Sequence, residues 1–406
     1  MAELVSLSEA AYGQDLVVSA WGELYDVLAD GVVGVVGQQA ASQAQPCILV
    51  CGRCAVSRGE LAAGAVDLAA ALNASGIIGA WSWSPRDERC ILDAGAADDD
   101  PADPTVSDDV YVAYPSVDVA ALAEVAADEV LRERVTITID SPEHVRFLAA
   151  HALTGLRVAV DVDASLKVGP AHLGARRSPV REPADAVEVV VAAQTAGLRV
   201  VGLMFYDAQI AGVPDSSLAV RAMKRRSHAA LMERRHRVVE AVSALTELAF
   251  VNGGGTGSLH LTGTDPCLTE LAAGSGFLAP ALFDGYGDFA PRPCAAFALP
   301  VVRRPGPGFV TVLQGGYLAS GAPGASRLPT IHSPAGLQYL GAEGAGEVQT
   351  PLRGAVADTL SIGDRVWFRH AKAGELCERF ETLHLVSGGR VVGSLPTYRG
   401  EGRCFG

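Results

Sequence analysis

The chain has 406 residues, of which 49% are hydrophobic and 19% charged, so it can bury a sizeable core, which excludes a disordered or fibrous protein. Its length predicts two to three domains, or an αβ barrel of about 250 residues joined to a smaller partner. With 46 acidic against 32 basic residues the net charge is −14, which opposes a general affinity for nucleic-acid backbones or anionic lipid.

Nucleic acid and membrane are therefore not expected as partners. There is no run of 18 or more apolar residues, and the start Met1-Ala2-Glu3-Leu4 lacks the basic region of a signal peptide, which predicts a cytoplasmic location. Residues 1–45 are read as an N-terminal segment that could join a β-domain, with Leu16 to Trp21 as its apolar run. Short apolar runs then recur: Cys47 to Gly52, Ile77 to Trp81, Val110 to Tyr114, Val135 to Ile139, Arg157 to Val162, Arg199 to Phe205, Leu248 to Asn252 and Glu270 to Ala273. Amphipathic segments lie between them, at Glu60 to Asn73, Val117 to Val130, Glu143 to Leu153, Pro183 to Ala196 and Leu218 to Thr246. Strands alternating with helices call for parallel pairing and right-handed crossovers, and eight strands predict closure into a (β/α)8 TIM-type barrel over residues 46–290. An open doubly wound sheet is the second choice.

Two charged stretches are read as solvated. The acidic segment Asp98 to Pro104 reads as a surface loop. Arg225, Arg226, Arg234, Arg235 and Arg237 read as the outer face of a helix, and Lys224 beside them as solvated or facing a phosphate. After residue 290, Gly and Pro punctuate β-type runs at Phe309 to Leu313, Glu347 to Leu352, Arg365 to Arg369, Leu383 to Val386 and Arg390 to Leu395, which predicts a smaller all-β domain over 291–406.

Cys47, Cys51 and Cys54 have the C-x3-C-x2-C spacing by which radical SAM enzymes hold an iron–sulfur cluster. Cys47 and Cys51 flank Ile48-Leu49-Val50, however, so buried thiols on one strand are the preferred reading. The strongest local signal is Phe250 to Ser258, an apolar strand running into a glycine-rich turn. Backbone N–H groups at Gly254, Gly255, Thr256 and Gly257 could cradle a phosphate, especially if a helix begins at Ser258 or Leu259. A second turn, Ala273-Gly274-Ser275-Gly276, follows the last expected barrel strand. The loops after strands seven and eight of such barrels are the usual phosphate site, so Ser275 and Gly276 join the candidate ligand residues.

These turns, together with Ala281 to Tyr286, Val110 to Pro115, His172-Leu173-Gly174, Tyr206 to Gly212 and Val366 to Cys377, resemble the amino acid deaminase/aldolase group of the D-threonine aldolase and alanine racemase N-terminal-domain family. The resemblance spans roughly residues 46 to 405. It implies a fold-type III architecture, a barrel binding pyridoxal 5′-phosphate with an attached β-domain. It also implies a homodimer and lyase-type action on a small β-hydroxy or D-amino acid.

One position departs from the pattern. Where the family carries the lysine that binds the cofactor covalently, this chain has Arg53, within Val50-Cys51-Gly52-Arg53-Cys54. A guanidinium stays protonated and does not add to an aldehyde, so any bound pyridoxal phosphate is expected to be non-covalent unless Lys167, one of only three lysines, substitutes. Arg53 is instead read as a clamp on a carboxylate or phenolate. The metal-binding histidine of D-threonine aldolase relatives matches His370, but Lys372 stands two residues on, where the family has a cysteine or aspartate. A divalent metal is therefore not expected, although Glu375 or Cys377 could complete a site around His370. Tyr206, ending the sixth strand, could stack on or hydrogen-bond a bound ring, and His172 matches an arginine near the cofactor in racemase relatives. Arg53, Tyr206, His172, His370 and Lys372 are thus the candidate catalytic residues. A non-catalytic, ligand-binding descendant of the same fold is the alternative.

Overall fold

The computed structural model describes residues 16–19, 47–50, 77–82, 110–273, 280–287, 295–372, 375–387, 390–397, 399–400 and 402. In chain order they begin with strands β1 (Leu16–Ser19), β2 (Cys47–Val50), β3 (Ile77–Ser82) and β4 (Val110–Pro115). Helices α1 (Val119–Ala127) and α2 (Glu129–Arg134) lead to β5 (Val135–Ile139), α3 (Pro142–Ala150) and β6 (Arg157–Asp161). A small hairpin, β7 (Leu166–Val168) and β8 (Ala171–Leu173), precedes α4 (Pro183–Thr195), β9 (Arg199–Phe205), α5 (Ala208–Ala211) and α6 (Leu218–Ser243). Then come β10 (Phe250–Gly253), α7 (Leu259–Thr262) and β11 (Glu270–Ala273). The remaining strands are β12 (Ala295–Gly306), β13 (Phe309–Leu313), β14 (Thr330–Ser333), β15 (Gln338–Tyr339), β16 (Gln349–Arg353), β17 (Arg365–Arg369), β18 (Thr382–Ser387) and β19 (Arg390–Pro396).

Strands β2, β3, β4, β5, β6, β9, β10 and β11 close, in that order, into a barrel in which each neighbour is parallel. These are the eight runs expected from the sequence, and the open sheet is excluded. The two-residue side-chain period explains why each strand is apolar almost throughout. Val110, Val112, Val135, Ile137, Ile139, Val158 and Val160 share one cluster with helix residues Leu122, Val125, Val145, Leu148, Val189 and Val190. The alternate residues Tyr111, Ala113, Ala159, Met204, Phe250 and Ala272 form a second cluster inside the barrel. There the Phe250 ring occupies the space beside Gly202, where a Cβ would come within 2.3 Å of it.

Local capping corrects one expected helix. The segment starting at Val117 is broken at Asp128, whose carboxylate accepts from Val130 N and Leu131 N at 2.9 and 3.1 Å and so starts α2. The β7–β8 hairpin was not expected. The expected helix Glu60 to Asn73 and the acidic segment 98–104 lie outside the described residues.

Beyond the barrel, β15-β16-β13-β12-β1-β18-β19 form one sheet, with β17 pairing β12 and β14. The smaller all-β domain is therefore present, and β1 lies antiparallel to β12 and parallel to β18. The segment after Pro280 ties this domain to the barrel. Ala281 and Leu282 donate their N–H groups to the carbonyls of His370 and Ala371, and Arg369 forms a two-point ion pair with Asp284 at 2.7 and 2.9 Å. Among the described residues no helix is long and apolar enough to cross a membrane.

Candidate active site

The barrel interior also carries polar side chains. Thr138 and Tyr111 are joined by a 2.9 Å hydrogen bond between hydroxyls, and Asn252 donates to Glu270 at 3.4 Å. Two residues beyond the interior Ala159 comes Asp161, the last residue of β6 and only 8% exposed. Burial, reinforced by Asp140 and Asp163 and opposed by Arg177, pushes its carboxyl up to about 7. Such a group can hold or release a proton near neutral pH.

Arg177 covers the mouth. Its guanidinium lies 5.3 Å from the Tyr206 ring centroid and 5.7 Å from that of Tyr114, placing a cation against two aromatic faces. Tyr206 directly follows β9 and Tyr114 lies in β4, so Arg177 reaches across strand ends that are separated in the barrel. Burial pushes the Tyr206 phenol up to about 12, so it remains protonated at neutral pH.

The glycine-rich turn sits on the other side of Tyr206. Gly254 has φ +85°, a backbone conformation that favours glycine. A Cβ on Gly255 would lie 2.8 Å from Ala211 Cβ and 3.3 Å from the Tyr206 ring, and one on Gly257 would be 2.3 Å from the Ala211 carbonyl oxygen and 2.4 Å from the Tyr286 ring. Close packing on α5 and Tyr286 thus requires the last two glycines, independently of any ligand. Asp207, fully buried, fastens the turn by accepting from Ser258 Oγ at 2.9 Å and Thr262 Oγ1 at 2.8 Å. Burial raises its carboxyl, while Thr262, Arg235 and Ser258 oppose the shift.

Helix α6 supports both sides of the mouth, and here the structure overturns an expectation. Arg234 and Arg235 are 5% and 0% exposed and Lys224 is 3% exposed, so these three are not on a solvated face. Lys224 forms an ion pair with Asp215 at 2.8 Å and sits 4.5 Å from the Tyr286 ring centroid. Arg234 donates to the carbonyl of Asp163 at 2.6 Å, and Arg235 is paired with Asp265. Positions 224, 231, 234, 235, 238 and 242 share the buried face, and its cations bind the loops after β6, β9 and β10. Spacing alone would have indicated this face; the loop carboxylates and carbonyls that make it habitable are far away in sequence.

The expected site residues are only partly brought together. Tyr206 lies at the mouth with Arg177, next to Gly255. His172 is half-buried on β8, with Nε2 3.2 Å from the Ala175 carbonyl, in a cleft that Arg177 also lines. Lys167 is half-exposed on β7, 3.9 Å from Asp163. His370 follows β17 in the β-domain and is 2% exposed, with neither ring nitrogen hydrogen-bonded; burial, with Arg369 adding, pushes it down to about 3. Lys372 Nζ is 3.4 Å from Ser320 Oγ. Cys377 is buried, and no group of three or more metal-ligating side chains occurs among the described residues. Arg53, Cys51, Cys54, Ser275, Gly276 and the Glu375 side chain lie outside the described residues. Sequence reasoning missed Asp161, Arg177 and Asp207 as site residues; the alternation Ala159, Asp161 on β6 was the available signal.

The sequence matches no protein-family profile and no curated protein. Solved structures do match. D-threonine aldolase from Filomicrobium marinum superposes with a TM-score of 0.73 at 19% identity, covering 97% of this chain and 96% of that one. D-threo-3-hydroxyaspartate dehydratase from Delftia sp. HT23 gives 0.65 at 16% identity, covering 96% and 98%. Alanine racemase from Clostridium difficile 630, in complex with cycloserine, gives 0.58 at 11%, covering 95% and 99%. At these identities the shared property is the fold: an alanine racemase-like barrel with an attached β-domain.

Proposed function

We propose that this chain is a lyase-type enzyme acting on a small D- or β-hydroxy amino acid. The observation that carries the proposal is the meeting of Asp161, Arg177 and Tyr206 at the barrel mouth beside the Gly254–Gly257 turn. A proton-holding carboxyl, a cation and a protonated phenol converge on one opening, and that opening belongs to a fold shared with D-threonine aldolase and D-threo-3-hydroxyaspartate dehydratase.

Pyridoxal 5′-phosphate is the cofactor this reading implies, and the residues present fit it. Tyr206 offers an aromatic face beside the glycine turn and Arg177 supplies a cation across that face, while within the turn the Gly254 and Gly255 amides already donate to the Phe205 carbonyl and to Ser258 Oγ, and Thr262 fills the space beside Gly254. The cofactor, when bound, stabilises negative charge developing at an amino acid Cα. The Thr256–Gly257 end of the turn, rather than the internally bonded Gly254 and Gly255 amides, would hold the phosphate, Arg177 would orient the substrate carboxylate, and Asp161 would take up or return the proton of the reacting carbon or hydroxyl. Ser275 and Gly276 complete the phosphate site in this proposal. Arg53 replaces the covalent lysine and acts as an electrostatic clamp, which makes cofactor binding non-covalent. His172, His370 and Lys372 remain proposed participants, with His370 as the one candidate around which Glu375 or Cys377 would gather a metal. The domain division at 45/46 and 290/291 belongs to the same proposal, supported for the first segment by the pairing of β1 with β12 and β18. So do a homodimer and a cytoplasmic location.

The test is a visible absorbance titration of the purified protein with pyridoxal 5′-phosphate, followed by borohydride reduction and peptide mass analysis, with turnover of D-threonine and D-threo-3-hydroxyaspartate measured in parallel. Saturable binding, turnover and no modified lysine are expected. A modified Lys167 would replace the non-covalent assignment with a relocated covalent one. Absence of both binding and turnover would favour the non-catalytic alternative.

A further inference from the structure

We propose that the cleft between the β7–β8 hairpin and residues 176–179 is a subsite for the second carboxylate of a dicarboxylic substrate. The proposal rests on the barrel-mouth reading above and names its substrate class.

The cleft has a volume of about 460 Å³ and is lined by Asp163, Lys167, His172, Arg176, Arg177 and Ser178, with neighbouring Gly, Pro and Ala residues. Three of these side chains are permanent cations. The one carboxylate, Asp163, is already engaged: it accepts from Arg181 at 2.7 Å and from the Ser165 hydroxyl and amide at 2.8 and 2.9 Å. Burial opposes its charge, but Ser165 and Arg181 outweigh that and hold its carboxyl below the usual range. Lys167 Nζ stands off at 3.9 Å. Neither Arg176 nor Arg177 has a carboxylate within ion-pair distance among the described residues. A chain with net charge −14 thus gathers more cations than carboxylates in one concave place, where Arg177 faces the Asp161 carboxyl and Lys167 shares Asp163 with Arg181.

The position of the cleft assigns its role. In the barrel β9 lies between β6 and β10, so the loop after β6, which forms the cleft, and the glycine turn after β10 flank Tyr206 from opposite sides. A ligand over Tyr206 with one anionic end at the turn directs its other end toward Arg177 and the cleft. Arg177 belongs to both places, since it lies over Tyr206 and lines the cleft. An amino acid whose α-carboxylate meets Arg177 would extend a side-chain carboxylate to Arg176 and Lys167.

Titration calorimetry without cofactor tests this directly, comparing D-malate with (S)-3-hydroxybutyrate, which has a methyl group in place of the second carboxylate at the same configuration. The native protein should bind D-malate at least tenfold more tightly. R176Q should weaken D-malate about tenfold, the loss expected for one charge-assisted contact, and K167Q/R176Q further, with (S)-3-hydroxybutyrate unchanged. Both side chains are solvent-accessible, so unchanged thermal midpoints should accompany the loss. Equal affinity for the two probes, or an unchanged D-malate affinity in K167Q/R176Q, overturns the proposal. So does inorganic phosphate that binds more tightly than D-malate and loses its affinity in the same variants, since the cleft would then be a phosphate site. The titration involves neither pyridoxal phosphate nor turnover, so failure of the cofactor assignment does not imitate failure of the cleft.

Discussion

Replacing Asp161 with Asn removes a carboxyl whose folded and unfolded acidities differ widely. An unfolded aspartate titrates near 3.8, whereas burial raises the folded Asp161 carboxyl to about 7. The native state therefore binds the extra proton between these values, and stability must fall as pH rises from about 4 to about 7. Three pKa units correspond to about 4 kcal/mol, an upper bound on the penalty carried above pH 7. At pH 5 the native carboxyl is protonated and nearly isosteric with an amide, so D161N and the native protein should melt together. At pH 8.5 D161N should be the more stable, by up to about 8 °C for a barrel of this size. Thermal melts of both proteins at a series of pH values provide the measurement, because titrating groups not coupled to Asp161 cancel in the difference. Two parallel melting curves with a constant offset would refute the raised acidity and, with it, the proton-holding role. D161N should also lose turnover of any substrate that the native enzyme accepts.

Other substitutions test the supports of the mouth. K224M leaves Asp215 buried without its cation and should cost about 3–5 kcal/mol, whereas K224M/D215N should recover most of that in urea denaturation; equal losses would mean the pair contributes nothing. D207A strips the acceptor from Ser258 and Thr262, which should lower stability by about 2–4 kcal/mol and loosen pyridoxal phosphate binding, with D207N milder on both counts. G257A drives a Cβ against the Ala211 carbonyl, a backbone atom that no rotamer can move, and should cost about 1–3 kcal/mol and weaken the cofactor. Unchanged cofactor affinity in both G257A and D207A would remove the phosphate from this turn.

The barrel was legible because its signal is local. A β-strand enclosed on both faces must be apolar almost throughout, and runs such as Val135 to Ile139 and Arg157 to Val162 carry that mark. The outward residues of β5, Val135, Ile137 and Ile139, are buried against helices, while Thr136 and Thr138 face the interior as small polar residues. The β-domain was legible through its Gly and Pro punctuation, but β12 was missed, because Pro300 interrupts its apolar run and Arg303-Arg304 end it, and β14 and β15 were missed because they are only four and two residues long. The hairpin β7–β8 was hidden because strands of three residues leave no periodicity to count.

Charged residues were the hardest to place, for a physical reason. A cation's cost of burial depends on its partner, and partners here are remote in sequence: Lys224 meets Asp215, Arg235 meets Asp265, and Arg234 meets the Asp163 carbonyl 71 residues away. Arg225 and Arg226 belong to the same basic run and stay exposed, so composition cannot separate the two groups. The helical period can: 224, 231, 235, 238 and 242 follow steps of three, four and seven, and the run of Arg residues cuts across that face. The arrangement has a consequence for the mouth. The loops after β6, β9 and β10 carry Arg177, Tyr206 and the glycine turn, and each is anchored by a buried cation on the one helix. Disturbing any anchor should therefore shift ligand binding at the mouth along with stability, while substituting exposed Arg225 or Arg226 should change neither.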